Sequence, residues 1–330
     1  MSNLAYETAH ADAVLVDHNR RGTLKITGAT RLDLIHRMTT QNVNPLQSGE
    51  GAATVFTTDI GRIIDRTLVY ASSDTLYVIT GDDHADPLAR YLMRNIFFND
   101  DIQVADISAK TAVWGVYGPR AGELLADAGF PDVDLPMHHW RQAELNGDNT
   151  TASVTAYLHR TDPVAGDGYL VTCQMADAND VRERLVAAGI VPIDEDAYEY
   201  LRIESGLPRF GQELTLDYIP LEANLWDDVS FHKGCYIGQE IIARMESRGK
   251  LAKRLVALRP SAPVEPGSVI MAGDREAGTI TSAADGLAGP VALGYVKTAA
   301  LEGDSPLSTA DGTSLDIAAE LRTSDAQTHH

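Results

Sequence analysis

Cys235 is one of only two cysteines in the chain, and it sits between a cation, two glycines and the start of a helical pattern: Phe231-His232-Lys233-Gly234-Cys235-Tyr236-Ile237-Gly238-Gln239-Glu240. From Gln239 to Ser247 the residues Ile241, Ile242 and Met245 share one side, and Glu240 and Arg244 have the i,i+4 spacing of an ion pair, so the pattern predicts a helix. A thiol just ahead of a helix N-terminus and near the Lys233 ammonium is favoured as thiolate, the nucleophilic and metal-binding form. Gly234 and Gly238 are expected to allow a bend that a Cβ would resist. A free cysteine buried as a small hydrophobe is the competing reading, and local chemistry leaves the two about even.

A second candidate is Glu204. The acids Asp194-Glu195-Asp196 predict a helix start, and the helix ends near Gly206. Ala197, Tyr200, Leu201 and Glu204 fall on one side of it, so the carboxylate points where apolar side chains point and needs a partner. Arg202 or Arg209 could supply one as a structural ion pair. Cys173, by contrast, alternates with Tyr169, Val171 and Met175 on a strand face and reads as a core residue. The adjacent His138 and His139 lack a third ligand, and no C-x-x-C is present, so a self-contained metal or iron-sulfur site is not expected.

The elements that must position these groups alternate in type. Val14 to Val16, Thr23 to Thr27, Ala53 to Thr58, Ile63 to Tyr70 and Leu76 to Thr80 read as strands, the third and fourth as a hairpin, with a helix from about Thr30. His84 to Asn95 and Asp177 to Ala188 read as helices, and 102–106, 113–117 and 169–175 as strands, while His138 and His139 fall in a polar loop. Beyond Arg259 short strands and Gly/Pro turns suggest a small all-β domain, and the polar tail from Thr323 is expected to be disordered.

Composition narrows the function. The chain has 330 residues, enough for two or three cores, and a net charge of -20 from 47 acids against 27 bases, only 6 of them Lys. Such an acid excess with little lysine matches a surface suited to molar salt, so a halophilic source is expected. A broad duplex nucleic acid face is not expected, nor is a membrane span or a signal peptide, which points to a cytoplasmic protein. There is no G-x-G-x-x-G after a strand and no Walker loop. Lys233, Arg244, Arg248, Lys250, Lys253, Arg254 and Arg259 form a local basic cluster, readable as a solvated helix end or as a contact surface for an anion.

The block Lys233-Gly234-Cys235-Tyr236-Ile237-Gly238-Gln239-Glu240 resembles the signature of the YgfZ-type folate-binding proteins, a branch of the aminomethyltransferase (glycine cleavage T-protein) superfamily. Leu201-Arg202-Ile203-Glu204-Ser205-Gly206-Leu207, Phe210-Gly211 and Ile219-Pro220-Leu221-Glu222-Ala223 follow the order and spacing of that superfamily. So, more loosely, do Gly61 to Tyr70, the Arg160-Thr161 loop, and the C-terminal Gly278 to Ser282 and Ala292 to Val296. The resemblance implies an α+β fold: a folate-binding region of two interleaved ferredoxin-like subdomains over residues 1–250, a β-barrel over 251–322 and a tail at 323–330. It implies tetrahydrofolate as cofactor, with Glu204, whose carboxylate can accept from a pterin's donor edge, and Asp65, Arg160 and Arg244 as binding residues. Cys235 and Lys233 become the reactive pair.

Two activities follow from the resemblance. One is a folate-dependent factor for iron-sulfur assembly or repair, with an iron-sulfur client or scaffold as partner. The other is an aminomethyltransferase acting with a lipoyl carrier protein. Arg66 occupies the second of two positions at which the superfamily's strand has acids, leaving Asp65 as its one carboxylate, and this weighs against the transferase.

Overall fold

The computed structural model describes residues 3–146 and 153–319; the expected disordered tail lies outside them. The chain begins α1 (Asn3–Ala11), β1 (Val14–Asp17), β2 (Arg21–Thr27), α2 (Arg31–Met38), β3 (Gly51–Thr57), β4 (Ile63–Ala71), β5 (Thr75–Asp82), α3 (Ala85–Met93) and β6 (Gln103–Asp106). It continues β7 (Thr111–Gly118), α4 (Ala121–Asp127), β8 (Trp140–Leu145), β9 (Val154–Arg160), β10 (Asp167–Gln174), α5 (Ala178–Ala187), β11 (Val191–Pro192), α6 (Glu195–Glu204) and α7 (Gln239–Arg248). The last part is β12 (Lys253–Pro260), β13 (Val269–Ala272), β14 (Arg275–Ala284), β15 (Val291–Lys297), α8 (Thr298–Leu301), β16 (Leu307–Thr309) and β17 (Ser314–Ala319).

These elements make two sheets and a closed barrel, the α+β architecture expected. One sheet has the order β3-β4-β5-β2-β6, the other β11-β1-β7-β10-β9-β8. Because β1 belongs to one sheet and β2 to the other, the chain crosses between them within residues 18–20 and the two halves interleave. Helices α2 and α3 cover the outer face of the first sheet through Leu34, Ile35, Leu88 and Leu92, and α4 and α5 cover the second through Leu124, Leu125, Val181 and Leu185. The remaining faces meet each other: Leu68, Tyr70 and Ile79 pack with Val113, Trp140 and Leu170. Full burial of such side chains stabilises the seam by roughly 1.5–3 kcal/mol each.

The barrel closes in the order β12-β15-β14-β13-β16-β17, so no strand edge is left unpaired. Tyr200 and Ile203 of α6 pack with its Leu255, Leu293 and Tyr295 and tie it to the sheets. Helix α6 starts as its sequence indicates: the Asp194 carboxylate accepts from the Ala197 amide at 2.9 Å, with Glu195 and Asp196 in the first turn.

Several elements were not marked in the sequence, among them α1, β8, β9 and the two-residue β11. Helix α1 has few large apolar residues to mark a face, yet Ala5 and Ala9 are buried. Strand β8 takes the stretch after His138 and His139, where Trp140, Ala143 and Leu145 point inward but Arg141 and Gln142 break the alternation.

Candidate functional site

Where the inner faces of the sheets diverge, a cleft of about 70 Å³ opens, walled by β2, β4, β5, β7, α6 and residues 207–214. Strand alternation decides which β4 side chains reach it. Arg66 points into the cleft, and Asp65, its neighbour, points to the opposite face. There Asp65 is fully buried, accepting from the Gly81 amide at 3.0 Å and facing His84 Nδ1 at 2.9 Å. Desolvation raises its pKa against these hydrogen bonds. His84 stacks on Phe210, 4.4 Å between centroids.

The cleft is held open by ion pairs. Arg66 forks onto Asp162 at 2.8 and 3.1 Å and reaches Asp228 at 2.5 Å. Desolvation alone would raise the Asp162 carboxyl, but the Arg66 guanidinium outweighs it and holds the group at about 2. Arg209 pairs with Asp82 at 2.6 Å and Glu195 at 2.5 Å, and Arg202 with Glu199 and the fully buried Glu213. His18 lies 2.9 Å from the Tyr117 hydroxyl, and burial, with Arg21 and Arg209 nearby, keeps its ring neutral. Arg21 differs: its guanidinium lines the cleft and makes no hydrogen bond to any described residue. A donor fork left open in a desolvated site is suited to an anionic or carbonyl group of a ligand.

The Cys235 segment is built on another principle. Lys233 is buried, and its ammonium donates to the carbonyls of His36, Thr39 (2.7 Å) and Gln41 (2.7 Å) while lying 5.0 Å from the Tyr236 ring centroid. Burial pushes the group down to about 7, but three carbonyl acceptors are satisfied only by the ammonium, and we take that as the resident form. On the other side of the cysteine, the Ile237 carbonyl accepts from Thr57 Oγ1 at 2.6 Å. Between these pins Cys235 is exposed, so the core reading fails for it and holds for Cys173, which is buried.

Gly238 has φ +85°, and a Cβ there would lie 2.6 Å from Thr58 O. Gly234 faces open space, so the expectation that it too resists a Cβ is corrected.

The remaining sequence candidates do not gather at the cleft. Glu204 projects from α6 two residues beyond Arg202, about 200° around the helix, and so faces away from the Tyr198–Arg202 side that lines the cleft. Its partners are His10 Nε2 at 3.0 Å, Arg259 at 3.2 Å and Tyr6 at 3.3 Å, in place of the Arg202 or Arg209 that the sequence suggested. Arg160 pairs with Asp167 at 2.5 Å over the Tyr169 ring. Arg244 pairs with Glu240 at 2.9 Å on the solvent side of α7, as their spacing indicated. In the basic cluster, Lys253 lies 4.2 Å from the Tyr218 ring centroid and is partly committed there.

The profile of the GCVT N-terminal domain matches residues 4–233, and that of the CAF17 C-terminal β-barrel domain matches residues 253–322. The chain belongs to the GCVT family. Its similarity to a chloroplastic protein of Arabidopsis thaliana, provisionally named a transferase, is 30% identity over 287 residues, 86% of this chain and 65% of the relative, so it spans just under two thirds of that protein. An aminomethyltransferase of Halalkalibacterium halodurans is 28% identical, over 77% of this chain and 69% of the relative. The glycine cleavage system aminomethyltransferase T of Bartonella henselae shares the fold, with a TM-score of 0.82 at 21% identity over 95% of this chain and 87% of that one.

In this GCVT-family chain Arg21, His18, Tyr198 and Asp162 of the cleft had no sequence signal of their own. Arg21 sits in the polar turn Asp17 to Gly22, where an arginine reads as solvated. A detectable hint was the pair His18 and Arg21 at the two ends of the short crossover from β1 to β2, a place where the chain must turn between sheets.

Proposed function

We propose that this GCVT-family protein is a cytoplasmic, YgfZ-like tetrahydrofolate-binding factor that supports iron-sulfur cluster assembly or repair, with Cys235 as its reactive thiol. The observation that carries the reading is Arg66. It stands where a transferase strand would offer a second acid, and it is locked between Asp162 and Asp228, so the position has no carboxylate free to move a proton at a reacting nitrogen. The exposed thiol at Cys235 supplies the alternative chemistry. Cys173 is buried in the core, so thiolate donors beyond Cys235 would come from a client protein.

The lining of the cleft supports the folate half of this reading. Arg21 offers an open donor fork and Phe210 an aromatic wall. Folate supplies a carrier for one-carbon units. Arg21 would hold a carbonyl or carboxylate of it, Phe210 would pack against its ring, and the Arg66–Asp162 pair would fix the width of the cleft. Glu204, the residue the family resemblance assigns to the pterin, could take that part only by exchanging Tyr6 or His10 for the ligand.

Calorimetry with tetrahydrofolate tests the binding half: one saturable site is expected, weakened about tenfold or more by Arg21→Met, as for loss of a hydrogen bond to a charged group. No heat with wild type would end the proposal. Recovery of an iron-sulfur reporter enzyme after oxidative challenge tests the other half, and should fall in cells producing Cys235→Ser. Methylene transfer from an aminomethylated lipoyl carrier at an ordinary enzymatic rate would instead establish an aminomethyltransferase, the reading that the relatives' names favour.

A further inference from the structure

A second cleft opens on the seam between the sheets, touching the first only through Ile79. It holds about 290 Å³ and is walled by Tyr70, Tyr77, Trp140, Tyr157 and His159. Trp140 and Tyr157 lie 5.7 Å apart at 57°, and Trp140 and His159 6.1 Å apart at 24°, so ring faces and edges line one space.

Three polar atoms in the lining lack a partner among the described residues. Tyr70 is 0% exposed and its hydroxyl bonds to nothing; Thr23, 3% exposed, has a free Oγ1; His159, 5% exposed, uses Nε2 on Thr172 and leaves Nδ1 unmatched. Buried polar atoms are nearly always paired, so three orphans around one cleft imply a group that belongs there.

Charge says what kind. Lys25 and Lys110 line the same cleft, two of only 6 lysines in a chain of net charge -20. Neither ammonium has a hydrogen bond or ion pair among the described residues, whereas Lys233, Lys253 and Lys297 donate to backbone carbonyls. Retained and unpaired, they can neutralise an anion that the rest of the surface repels.

We infer that this cleft is a second ligand site, distinct from the Arg21–Arg66 cleft, for a small planar aromatic molecule bearing a carboxylate: the ring lies among Trp140, Tyr157 and Tyr77, the carboxylate meets Lys25 and Lys110, and polar ring substituents reach the Tyr70 hydroxyl and His159 Nδ1. It does not depend on the folate reading.

Anthranilate, an intrinsically fluorescent aromatic acid, is the probe, titrated into the full chain. One saturable site is expected, with benzoate competing and neutral benzamide at least about tenfold weaker, in line with loss of a charge-assisted contact. Lys25→Gln with Lys110→Gln should weaken anthranilate by about tenfold or more, and Gln174→Trp, at the exposed end of β10, should block it, circular dichroism confirming the fold of each. Should Gln174→Trp not fold, the lysine pair alone decides. The inference is overturned by an absence of saturable binding at millimolar anthranilate, by equal affinity for benzamide and benzoate, by affinity unchanged in the lysine variant, or by displacement with tetrahydrofolate, which would make the cleft part of the folate site.

Discussion

The Arg66 cleft and the Cys235 segment solve opposite problems with the same kind of residue, a buried cation. In the cleft, Arg66 is matched by two carboxylates, so charge holds charge and a polar space stays open between the sheets. Under Cys235, Lys233 is matched by three neutral carbonyls, so the cation pins backbone and the thiol beside it is left to solvent. A cation among carboxylates shapes a binding surface, and one among carbonyls shapes a loop. The positive charge near Cys235 is therefore committed to the backbone.

The largest test of that contrast is Arg66→Met. It strands Asp162 and Asp228 without their cation and should lower unfolding free energy in urea by about 3–5 kcal/mol, the usual cost of breaking one side of a buried pair. The same variant should change the acid limb. Asp162 is depressed to about 2 from 3.8, so its contribution is complete above 3.8 and is lost as pH falls from 3.8 through about 2. A urea midpoint followed over that window should drop more steeply in wild type than in Arg66→Met; equal slopes would mean the pair does not hold Asp162 ionised.

Lys233→Met should come next, at about 2–3 kcal/mol, because it orphans buried carbonyls without leaving a charge. Cys235→Ser, two residues away, should stay within about 0.5 kcal/mol while abolishing labelling by a maleimide. If both were costly, the segment would be a packed core and the contrast would fail. Gly238→Ala should cost about 1–3 kcal/mol, from a positive φ and a Cβ against Thr58 O, and Gly234→Ala within about 0.5 kcal/mol, measured as shifts in thermal midpoint. The smallest effect is expected for Arg244→Ala, whose exposed pair with Glu240 should contribute no more than about 0.5 kcal/mol, readable in the same melts.

Much of the frame was legible. The hairpin of β3 and β4, the acid-capped α6, α7 with its Glu240–Arg244 pair and the all-β texture after Arg259 are local patterns, and local patterns survive folding when hydrophobic period and capping agree. Strand β8 and helix α1 were not legible, since one lacks clean alternation and the other buries only small residues.

The site was legible in its residue types and not in its arrangement. The sequence by itself determined that Cys173 would lie on a buried strand face, that Glu204 would need a partner, and that β4 would carry an acid next to a base, because these follow from spacing along one element. Only the tertiary structure decided that Arg66 rather than Asp65 faces the cleft, that Glu204 turns to Tyr6, His10 and Arg259, and that Lys233 is tied to the segment 36–41. Those outcomes depend on which face of a strand or helix meets which neighbour, and the partners come from stretches up to nearly 200 residues away, where no periodicity can point.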